Sequence, residues 1–342
     1  MNLLKDVSLQ NYSTMRLGGT ARYLTDIHDR NQLVEALTWA EDKQLPVIMI
    51  GGGSNIYWQD SGFDGLVMVN KIMRYEVFEE DDLNAYITVG AGENWDSVVK
   101  RSVDAGLSGI EALSLIPGTA GGTPIQNVGA YGERISRVLT TVEAYDTQSK
   151  DFVTIPGSDC QFAYRTSRFK AADKGRFFIT ALTLHLTRSH MEPPFYEALQ
   201  AYFDQHQTTD RSPAAIREAV IAIRNTKLPD PAVVANNGSF FANPVITEEH
   251  ALQLQTEFPD LPCWPGDDGM FKVPAAWLIE HVGMKDFHDP ETGMATWHNH
   301  ALVLVNEHAH STADILKFKQ KIVDAVYNKY RITLEQEPEL LP

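Results

Sequence analysis

Three consecutive glycines directly after an apolar segment constrain the fold of this chain more than any other feature. Residues 46–50 read PVIMI, and residues 51–55 read GGGSN. The apolar segment predicts a buried strand. The glycines predict a turn in which positive φ angles let several backbone N–H groups converge on an anion. A tight structural turn explains one such loop equally well, so the pattern indicates phosphate binding only if a second feature agrees.

A second glycine-rich segment agrees with the first. Residues 116–132 read IPGTAGGTPIQNVGAYG, with five glycines, two prolines and the amide side chains of Gln126 and Asn127 near the centre. Two such loops favour a nucleotide laid between them. The first half of the sequence contains mixed strands and few helices, and the motif GxGxxG is absent. A Rossmann domain is therefore not expected.

Composition and charge exclude several classes of protein. A chain of 342 residues accommodates about two or three domains. It has no apolar stretch near the roughly 20 residues that span a bilayer and no N-terminal signal core, so we expect a cytoplasmic protein without membrane insertion. The net charge of −16 argues against nucleic acid as the main partner, although local basic groups can still bind a small anion. Cys160 and Cys263 lack metal or disulfide spacing.

Hydrophobic periodicity predicts a chain of mixed strands and helices. Helices are expected at 31–43, 95–105, 212–226, 274–282 and 312–329, and strands at 47–50, 66–69, 85–89, 138–145, 177–186 and 301–305. The sequence LPDP at 228–231 predicts a stiff connector before a second domain. Ser311 and Asp314 predict a capping box for the last helix, whose apolar stripe is interpreted as core packing.

Two segments carry candidate chemistry. Arg165, in YRTSR, has a planar guanidinium that can bind a carboxylate through two hydrogen bonds, although a lone arginine more often forms a surface ion pair. Ser239, in NNGSFFANP, lies between a glycine and two phenylalanines, an environment that can hold a hydroxyl as a proton donor. A plain Gly-Ser turn explains this second segment equally well.

Other polar residues have simpler interpretations. Residues Glu335, Glu337 and Glu339, taken alone, predict a solvated acidic tail. Lys227 ends a predicted helix and complements its dipole. The four histidines between residues 298 and 310 lack the spacing of a metal motif, so no metal site is expected.

Taken together, the motifs resemble those of the UDP-N-acetylenolpyruvoylglucosamine reductase family. The resemblance covers nearly the whole chain and depends on the order of the motifs. They are YSTMRLGG from Tyr12, GGGSNIYWQDSGFDGLVM from Gly51, IPGTAGGTPIQNVGAYG from Ile116, CQFAYRTSRFK from Cys160, TKLPDP from Thr226, NNGSFFANP from Asn236, WLIEHVGMK from Trp277 and ALVLVNEHAHSTADIL from Ala301.

The resemblance implies a fold and a domain organisation. The expected fold is α+β, with a two-part FAD-binding domain of the p-cresol methylhydroxylase type and a smaller α+β substrate-binding domain. The expected boundaries are 1–190 for the FAD-binding domain (lobes of about 1–70 and 71–190), 191–227 for an insertion and connecting helix, 228–330 for the substrate-binding domain and 331–342 for a tail that returns to the active site.

The resemblance also implies a reaction. NADPH reduces non-covalently bound FAD, and flavin N5 passes hydride to the enolpyruvyl group of UDP-N-acetylglucosamine enolpyruvate. The product is UDP-N-acetylmuramate for peptidoglycan synthesis, on which cell-wall formation, cell shape and division depend. A monomer is expected. The residues implied to bind FAD are Gly51, Gly52, Gly53, Ser54, Asn55, Pro117, Gly118, Thr119, Gln126, Asn127, Gly129 and Ala130.

Catalytic and substrate-binding residues are implied by the same motifs. Arg165 and Glu337 match residues that hold and polarise the substrate carboxylate, and Ser239 matches the general acid. The residues matched to substrate binding are Tyr164, Lys227, Asn243 and Tyr196, the last of which resembles a tyrosine that one subclass folds over the substrate pyrophosphate.

The C-terminus departs from the family pattern. Relatives continue past the glutamate with a Val-Arg strand, whereas this chain reads EPELLP. Glu337 is the best register, and Glu335 stays open. Two other functions also stay open: an FAD-dependent oxidase of the same superfold acting on a hydroxy acid or sugar, and a nucleotide-binding protein that has lost catalysis. The absence of histidine from both glycine-rich loops argues against a covalent flavin oxidase.

Overall fold

The computed structural model describes residues 1–266 and 269–342. Helices and strands alternate irregularly along the chain. The α-helices are α1 (Arg30–Asp42), α2 (Trp95–Asp104), α3 (Glu197–His206), α4 (Pro213–Lys227), α5 (Glu248–Glu257), α6 (Ala275–His281) and α7 (Thr312–Tyr330). Short 3-10 helices occupy Leu9–Tyr12, Glu111–Leu113, Ala120–Gly122, Ile135–Arg137 and Gly157–Cys160.

The strands are short and numerous. They are β1 (Leu4–Ser8), β2 (Thr20–Ile27), β3 (Val47–Ile50), β4 (Ile56–Trp58), β5 (Phe63–Asn70), β6 (Tyr75–Glu79), β7 (Asn84–Gly90), β8 (Gly129–Ala130), β9 (Glu133–Arg134), β10 (Leu139–Asp146), β11 (Asp151–Pro156), β12 (Phe177–Thr187), β13 (Ala235–Ser239), β14 (Val245–Thr247), β15 (Trp264–Pro265), β16 (Met270–Lys272), β17 (His288–Asp289), β18 (Met294–Trp297), β19 (His300–Asn306) and β20 (Glu339–Leu341). The helices and strands predicted from periodicity are confirmed, and each helix end lies within one residue of its expected position.

The chain divides into two compact units. The first unit comprises Met1–Val7, Ala21–Gly52 and Phe63–Thr226, and the second comprises Ser8–Thr20, Gly53–Gly62 and Lys227–Pro342. The sequence-based boundaries assigned both N-terminal segments of the second unit to the FAD-binding domain. The structure groups them with the C-terminal half because Met15, Leu17 and Tyr57 lie in its hydrophobic core.

The first unit contains two main sheets. Four strands are ordered β1-β2-β5-β3, and both β2 and β3 run parallel to β5. Five strands are ordered β11-β10-β12-β7-β6 with antiparallel pairing throughout. The apolar faces of α1 and α2 are buried in separate clusters, which accounts for the amphipathic pattern of both helices. The insertion helices α3 and α4 pack together in this unit.

The second unit is built on an antiparallel sheet of order β13-β19-β18-β17. Strands β14, β16 and β15 form a smaller sheet, and β20 pairs in parallel with β4. The predicted capping box at the start of α7 is confirmed: Ser311 and Asp314 each accept a backbone N–H from the other's position. The apolar stripe of α7 is buried in the core, as predicted. In the described ranges 1–266 and 269–342, no helix is long and apolar enough to cross a membrane.

Candidate functional site

The two glycine-rich loops meet within the first unit. A Cβ placed on Gly51 would lie inside van der Waals contact of Thr119 Oγ1, and a Cβ on Gly52 would lie 3.0 Å from Gly118 Cα. Gly118 has a φ of 115°, which side chains rarely adopt. The close approach therefore requires glycine at these positions. It leaves a narrow backbone surface of the kind that accepts a pyrophosphate, so the residues present fit FAD.

The start of the second loop is fixed against α2. Trp95 N donates to Gly118 O at 3.1 Å, next to the N-terminal end of the helix. Asp96, in the first turn, accepts a hydrogen bond from Leu115 N and binds Arg217 of α4 through both carboxylate oxygens, at 2.7 and 2.8 Å. The Arg217 guanidinium lowers the pKa of Asp96 against the opposing effect of burial. Sequence reasoning missed this ion pair because its two members belong to remote helices.

The YRTS turn is bound to the second glycine-rich loop. The three hydrogen bonds are Asn127 Nδ2 to Ala163 O (3.2 Å), Arg165 Nη1 to Gly129 O (3.0 Å) and Ser167 Oγ to Ile125 O (2.7 Å). Gln126 is half-buried in the same loop, Ala130 lies in β8, and Pro117 is exposed at the start. The structure therefore brings the predicted carboxylate-binding arginine together with predicted FAD-binding residues.

Arg165 has an uncommon backbone conformation. Its φ is 54°, in the left-handed region that costs free energy for a side-chain-bearing residue and is often found at functional sites. The guanidinium carbon lies 5.7 Å from the ring centroid of Tyr164, whose side chain is largely exposed. Both predicted residues thus occupy one tight turn.

Tyr196 is an exposed residue directly before α3. Its ring meets Tyr131 edge-on, with 5.8 Å between ring centroids. Tyr131 follows Ala130 in the second loop, and its pKa is raised by burial. Sequence reasoning did not single out Tyr131, although the motif GAYG contains it.

In the second unit, the end of the first glycine-rich segment is held by the NNGSFF segment. Asn237 Nδ2 donates to Ser54 O (3.2 Å), Ile56 O (3.1 Å) and Thr14 Oγ1 (3.1 Å). Gly53 has a φ of 69°, and a Cβ there would collide with the carbonyl oxygen of Tyr12. The conformation of residues 53–55 is therefore set by contacts on both sides.

Ser239 is the last residue of β13, beside a bulge in the pairing with β19. Gly238 has a φ of 70°, and its N–H donates to Asn236 Oδ1 at 2.8 Å. The next residue, Phe240, is fully buried and donates its N–H to Leu302 O at 2.8 Å. The half-buried Ser239 thus has a fixed backbone and apolar neighbours, as its sequence suggested.

The acidic tail is folded against this strand, so the interpretation of a solvated tail is wrong. Glu337 N donates to Phe240 O at 2.9 Å, and Ala242 N donates to Glu335 O at 3.0 Å. Glu337 is 9% exposed, whereas Glu335 is an exposed residue. Glu339 begins β20, and its N–H donates to Asn55 O at 2.9 Å. The tail is ordered because strand pairing satisfies its backbone groups, a contact that charge patterning does not reveal.

The remaining two predicted residues are associated with helix ends. Asn243 Oδ1 accepts the N–H of Ala275, the first residue of α6, at 3.0 Å. Lys227, the last residue of α4, is exposed.

Tyr164, Arg165 and Tyr196 belong to the first unit, whereas Ser239, Asn243 and Glu337 belong to the second. Within the described part of the chain, no group of three or more His, Cys, Asp or Glu side chains lies close enough to hold a metal ion.

Comparison with known proteins connects these segments to one family. A family described as an FAD binding domain matches residues 22–150, and the C-terminal domain of UDP-N-acetylenolpyruvoylglucosamine reductase matches residues 230–341. The reductase of Cupriavidus pinatubonensis is 39% identical over 97% of each chain. The reductase of Neisseria gonorrhoeae is 39% identical over 98% of this chain and 96% of its own.

A solved structure agrees with the fold. The Thermus caldophilus UDP-N-acetylenolpyruvylglucosamine reductase aligns over 100% of both chains with a TM-score of 0.69, at 22% sequence identity. The predicted α+β fold, with an FAD-binding domain of the p-cresol methylhydroxylase type and a second α+β domain, is confirmed. With near full-length identity well above 30%, the chain belongs to the UDP-N-acetylenolpyruvoylglucosamine reductase family of FAD-containing oxidoreductases.

Proposed function

We propose that this protein reduces the enolpyruvyl group of UDP-N-acetylglucosamine enolpyruvate to give UDP-N-acetylmuramate in peptidoglycan synthesis, with NADPH as the reductant. One observation carries the proposal beyond family membership. The backbone of Glu337 is hydrogen-bonded to Phe240, the residue that follows Ser239, so the predicted carboxylate and the predicted proton donor belong to adjacent segments. Both tail glutamates take part in this backbone pairing, and the burial of Glu337 supports it over the exposed Glu335 as the functional glutamate.

The glycine-rich loops would hold the cofactor. FAD, when bound, supplies hydride chemistry between a nicotinamide and the enolpyruvyl double bond. Gly51, Gly52 and Gly118 would present backbone groups to its pyrophosphate, since the contact between their loops leaves no space for a side chain. Gly53, Ser54 and Asn55 would continue this surface. Thr119, Gln126, Asn127, Gly129 and Ala130 would contact the cofactor from the second loop, and Pro117 would fix the entry of that loop.

Arg165 would bind the substrate carboxylate. A guanidinium binds a carboxylate through two parallel hydrogen bonds, and its charge stabilises the negative charge that develops on the neighbouring carbon. The hydrogen bond from Arg165 Nη1 to Gly129 O, together with the left-handed backbone, fixes the direction of this side chain. Such preorganisation is what electrostatic stabilisation requires.

Ser239 would donate the proton that completes the reduction. Its hydroxyl lies on a backbone held on both sides by hydrogen bonds of Gly238 and Phe240, so its position is defined before substrate binds. Glu337 would polarise the substrate carboxylate. A fixed donor and a fixed carboxylate lower the reorganisation required in the transition state.

Four residues would orient the substrate. Tyr164 lies beside Arg165 and would line the carboxylate site. Lys227 and Asn243 would contact the phosphates of the substrate or of the nicotinamide cofactor. Tyr196 would fold over the substrate pyrophosphate, and its exposed ring and edge contact with Tyr131 are compatible with that movement. We further propose that the protein is cytoplasmic and acts as a monomer. Light scattering would test the monomeric state.

A stopped-flow experiment distinguishes this function from its alternatives. The flavin absorbance of the anaerobic protein is bleached with NADPH, and the reduced protein is then mixed with UDP-N-acetylglucosamine enolpyruvate. Rapid return of the absorbance supports the reductase. Return with oxygen but not with this substrate would indicate an oxidase of the same superfold. A flavin that NADPH does not bleach would indicate a binding protein that has lost catalysis.

A further inference from the structure

The residue before Glu337 is held by three side-chain hydrogen bonds. Gln336 Oε1 accepts from Lys319 Nζ at 2.7 Å and from Tyr57 OH at 2.9 Å. Gln336 Nε2 donates to Pro338 O at 3.0 Å. The amide therefore binds two different elements, α7 and β4. Its hydrogen bond to the carbonyl oxygen of Pro338 also spans one intervening residue. That residue is Glu337.

The strand geometry separates the two neighbouring side chains. Gln336 pairs with Phe241 in an antiparallel bridge, and successive side chains of an extended segment point to opposite faces. The amide of Gln336 thus faces Lys319 and Tyr57, while the carboxylate of Glu337 faces away from them. A group that holds Gln336 can orient Glu337 without touching its carboxylate.

The two donors are themselves well fixed. Tyr57 is fully buried, its ring lies 5.9 Å from that of Phe240, and burial raises its pKa to about 12. It therefore stays protonated and donates at physiological pH. Lys319 follows the fully buried Phe318 on α7, and its own burial lowers its pKa. A hydrogen bond from an ammonium group is stronger than one between neutral groups.

Backbone pairing holds the tail independently of this amide. Glu335 O accepts from Ala242 N, Glu337 N donates to Phe240 O, and Glu339 N donates to Asn55 O. Removing the Gln336 side chain would leave these bonds formed in the folded state, but the segment would open more often. The side-chain bonds therefore add orientation to a segment that is already docked.

We propose that Lys319, Tyr57 and Gln336 form a positioning group that fixes the orientation of Glu337 toward the substrate. The inference rests on the proposed role of Glu337 and deepens it. A displacement of about 1 Å at a reacting group can lower a rate on the order of 100-fold, so even a small rotation of the Glu337 peptide matters.

The kinetic test compares removal of the hydrogen bonds with conservative and remote controls. In Gln336→Met and Lys319→Met, we expect substrate-driven reoxidation of the flavin to slow by about 10- to 100-fold. Reduction by NADPH is expected to stay within about 2-fold, because a variant that disturbs only an interaction with the enolpyruvyl substrate leaves the first half-reaction unchanged. Lys319→Arg retains a cationic donor and should recover most of the rate. Lys317→Met removes an exposed lysine from the same helix and should change neither half-reaction.

A double substitution tests whether the effect passes through Glu337. In a Glu337→Gln background, Lys319→Met should produce no further loss, because residues that act through one another are not additive. A purely structural effect of Lys319 would instead lower the rate in both backgrounds by the same factor.

A third readout is independent of activity. Native-state hydrogen exchange of the Glu337 amide, which is bonded to Phe240 O, should be faster in Gln336→Met and unchanged in Lys317→Met. If Glu337→Gln reacts at the normal rate, the proposed role of Glu337 is wrong, whatever the exchange data show. If Glu337→Gln is slow but Gln336→Met and Lys319→Met react normally, or if exchange is unchanged, the positioning group is wrong.

Discussion

The N–H of Glu337 donates a hydrogen bond to the carbonyl oxygen of Phe240, with 2.9 Å between the two atoms. Phe240 is fully buried and directly follows Ser239, so the bond connects the C-terminal tail to the strand that carries the proposed proton donor. Two residues that the chain supplies from distant segments are thereby related by one backbone contact. The proposed roles of Ser239 and Glu337 can each be tested by substitution.

Ser239→Ala should separate the two half-reactions. Without the hydroxyl, reduction of the enolpyruvyl substrate should fall by about 100- to 10,000-fold, the usual contribution of a general acid, while NADPH still reduces the flavin. Stopped-flow absorbance measures both steps. Ser158→Ala removes an exposed hydroxyl in the other unit and serves as the control. Equal losses in both half-reactions would remove the proposed role of Ser239.

The register of the tail glutamates gives a second test. Glu337 is buried and Glu335 is exposed, although they lie two positions apart. Glu337→Gln should slow substrate reduction by about 100- to 1,000-fold, the scale of losing one electrostatic contact to the transition state. Glu335→Gln should remain within about 2-fold, because an exposed carboxylate that makes no contact with the transition state contributes little to its stabilisation. The opposite ranking in single-turnover rates would transfer the role to Glu335.

Local patterns predicted most of the fold but not the partners of short segments. The helices, the main strands and the capping box of Ser311 each have a signal within about ten residues. By contrast, β4 and β20 have three residues each and pair only because the tail returns to residues 56–58. No periodicity in either segment reveals that pairing. For the same reason, segments 8–20 and 53–62 were expected in the FAD-binding domain rather than in the second unit.

In the candidate site, too, local sequence patterns predicted some residues, whereas long-range contacts were not predictable. The chemistry of Gly51 and Gly118 is visible in the sequence because glycine at a turn has a specific backbone purpose. The hydrogen bonds of Gln336 to Lys319 and Tyr57 are not visible, because glutamine, lysine and tyrosine have many ordinary surface roles. Sequence reasoning therefore identified candidate groups for the reaction, whereas the residues that hold one of them required the folded structure.

Gly51→Ala should weaken cofactor binding. The added Cβ would enter the space of Thr119 Oγ1 and displace the two loops from each other. We expect the dissociation constant for FAD to rise about tenfold, equivalent to roughly 1.4 kcal/mol, in fluorescence titrations of the apoprotein. The control is Gly122→Ala in the same second loop, where no described atom lies within 4 Å of the new Cβ. Equal affinities of the two variants would show that the close loop contact is unimportant for FAD.

Protonation of Asp146 should lower the stability of the folded protein in acid. Its carboxylate is buried and binds Arg176 Nε and Nη2 at 2.9 and 2.7 Å. These hydrogen bonds lower the pKa of Asp146 to about 2, from an unfolded value of about 3.9. Because the folded state holds the ionised form, the stabilisation is complete above about pH 4 and disappears as the pH falls toward 2.

Asp146→Asn removes this titration and should therefore change how stability depends on pH. Urea midpoints measured from pH 7 to pH 2 should show the wild-type protein more stable at neutral pH, with the two curves converging as the pH approaches 2. Asp64→Asn, at an exposed carboxylate bonded to Arg22, should give a curve close to that of the wild type. If the Asp146→Asn curve stays parallel to the wild-type curve through the acid range, the Arg176 contact does not hold the carboxylate in its ionised form.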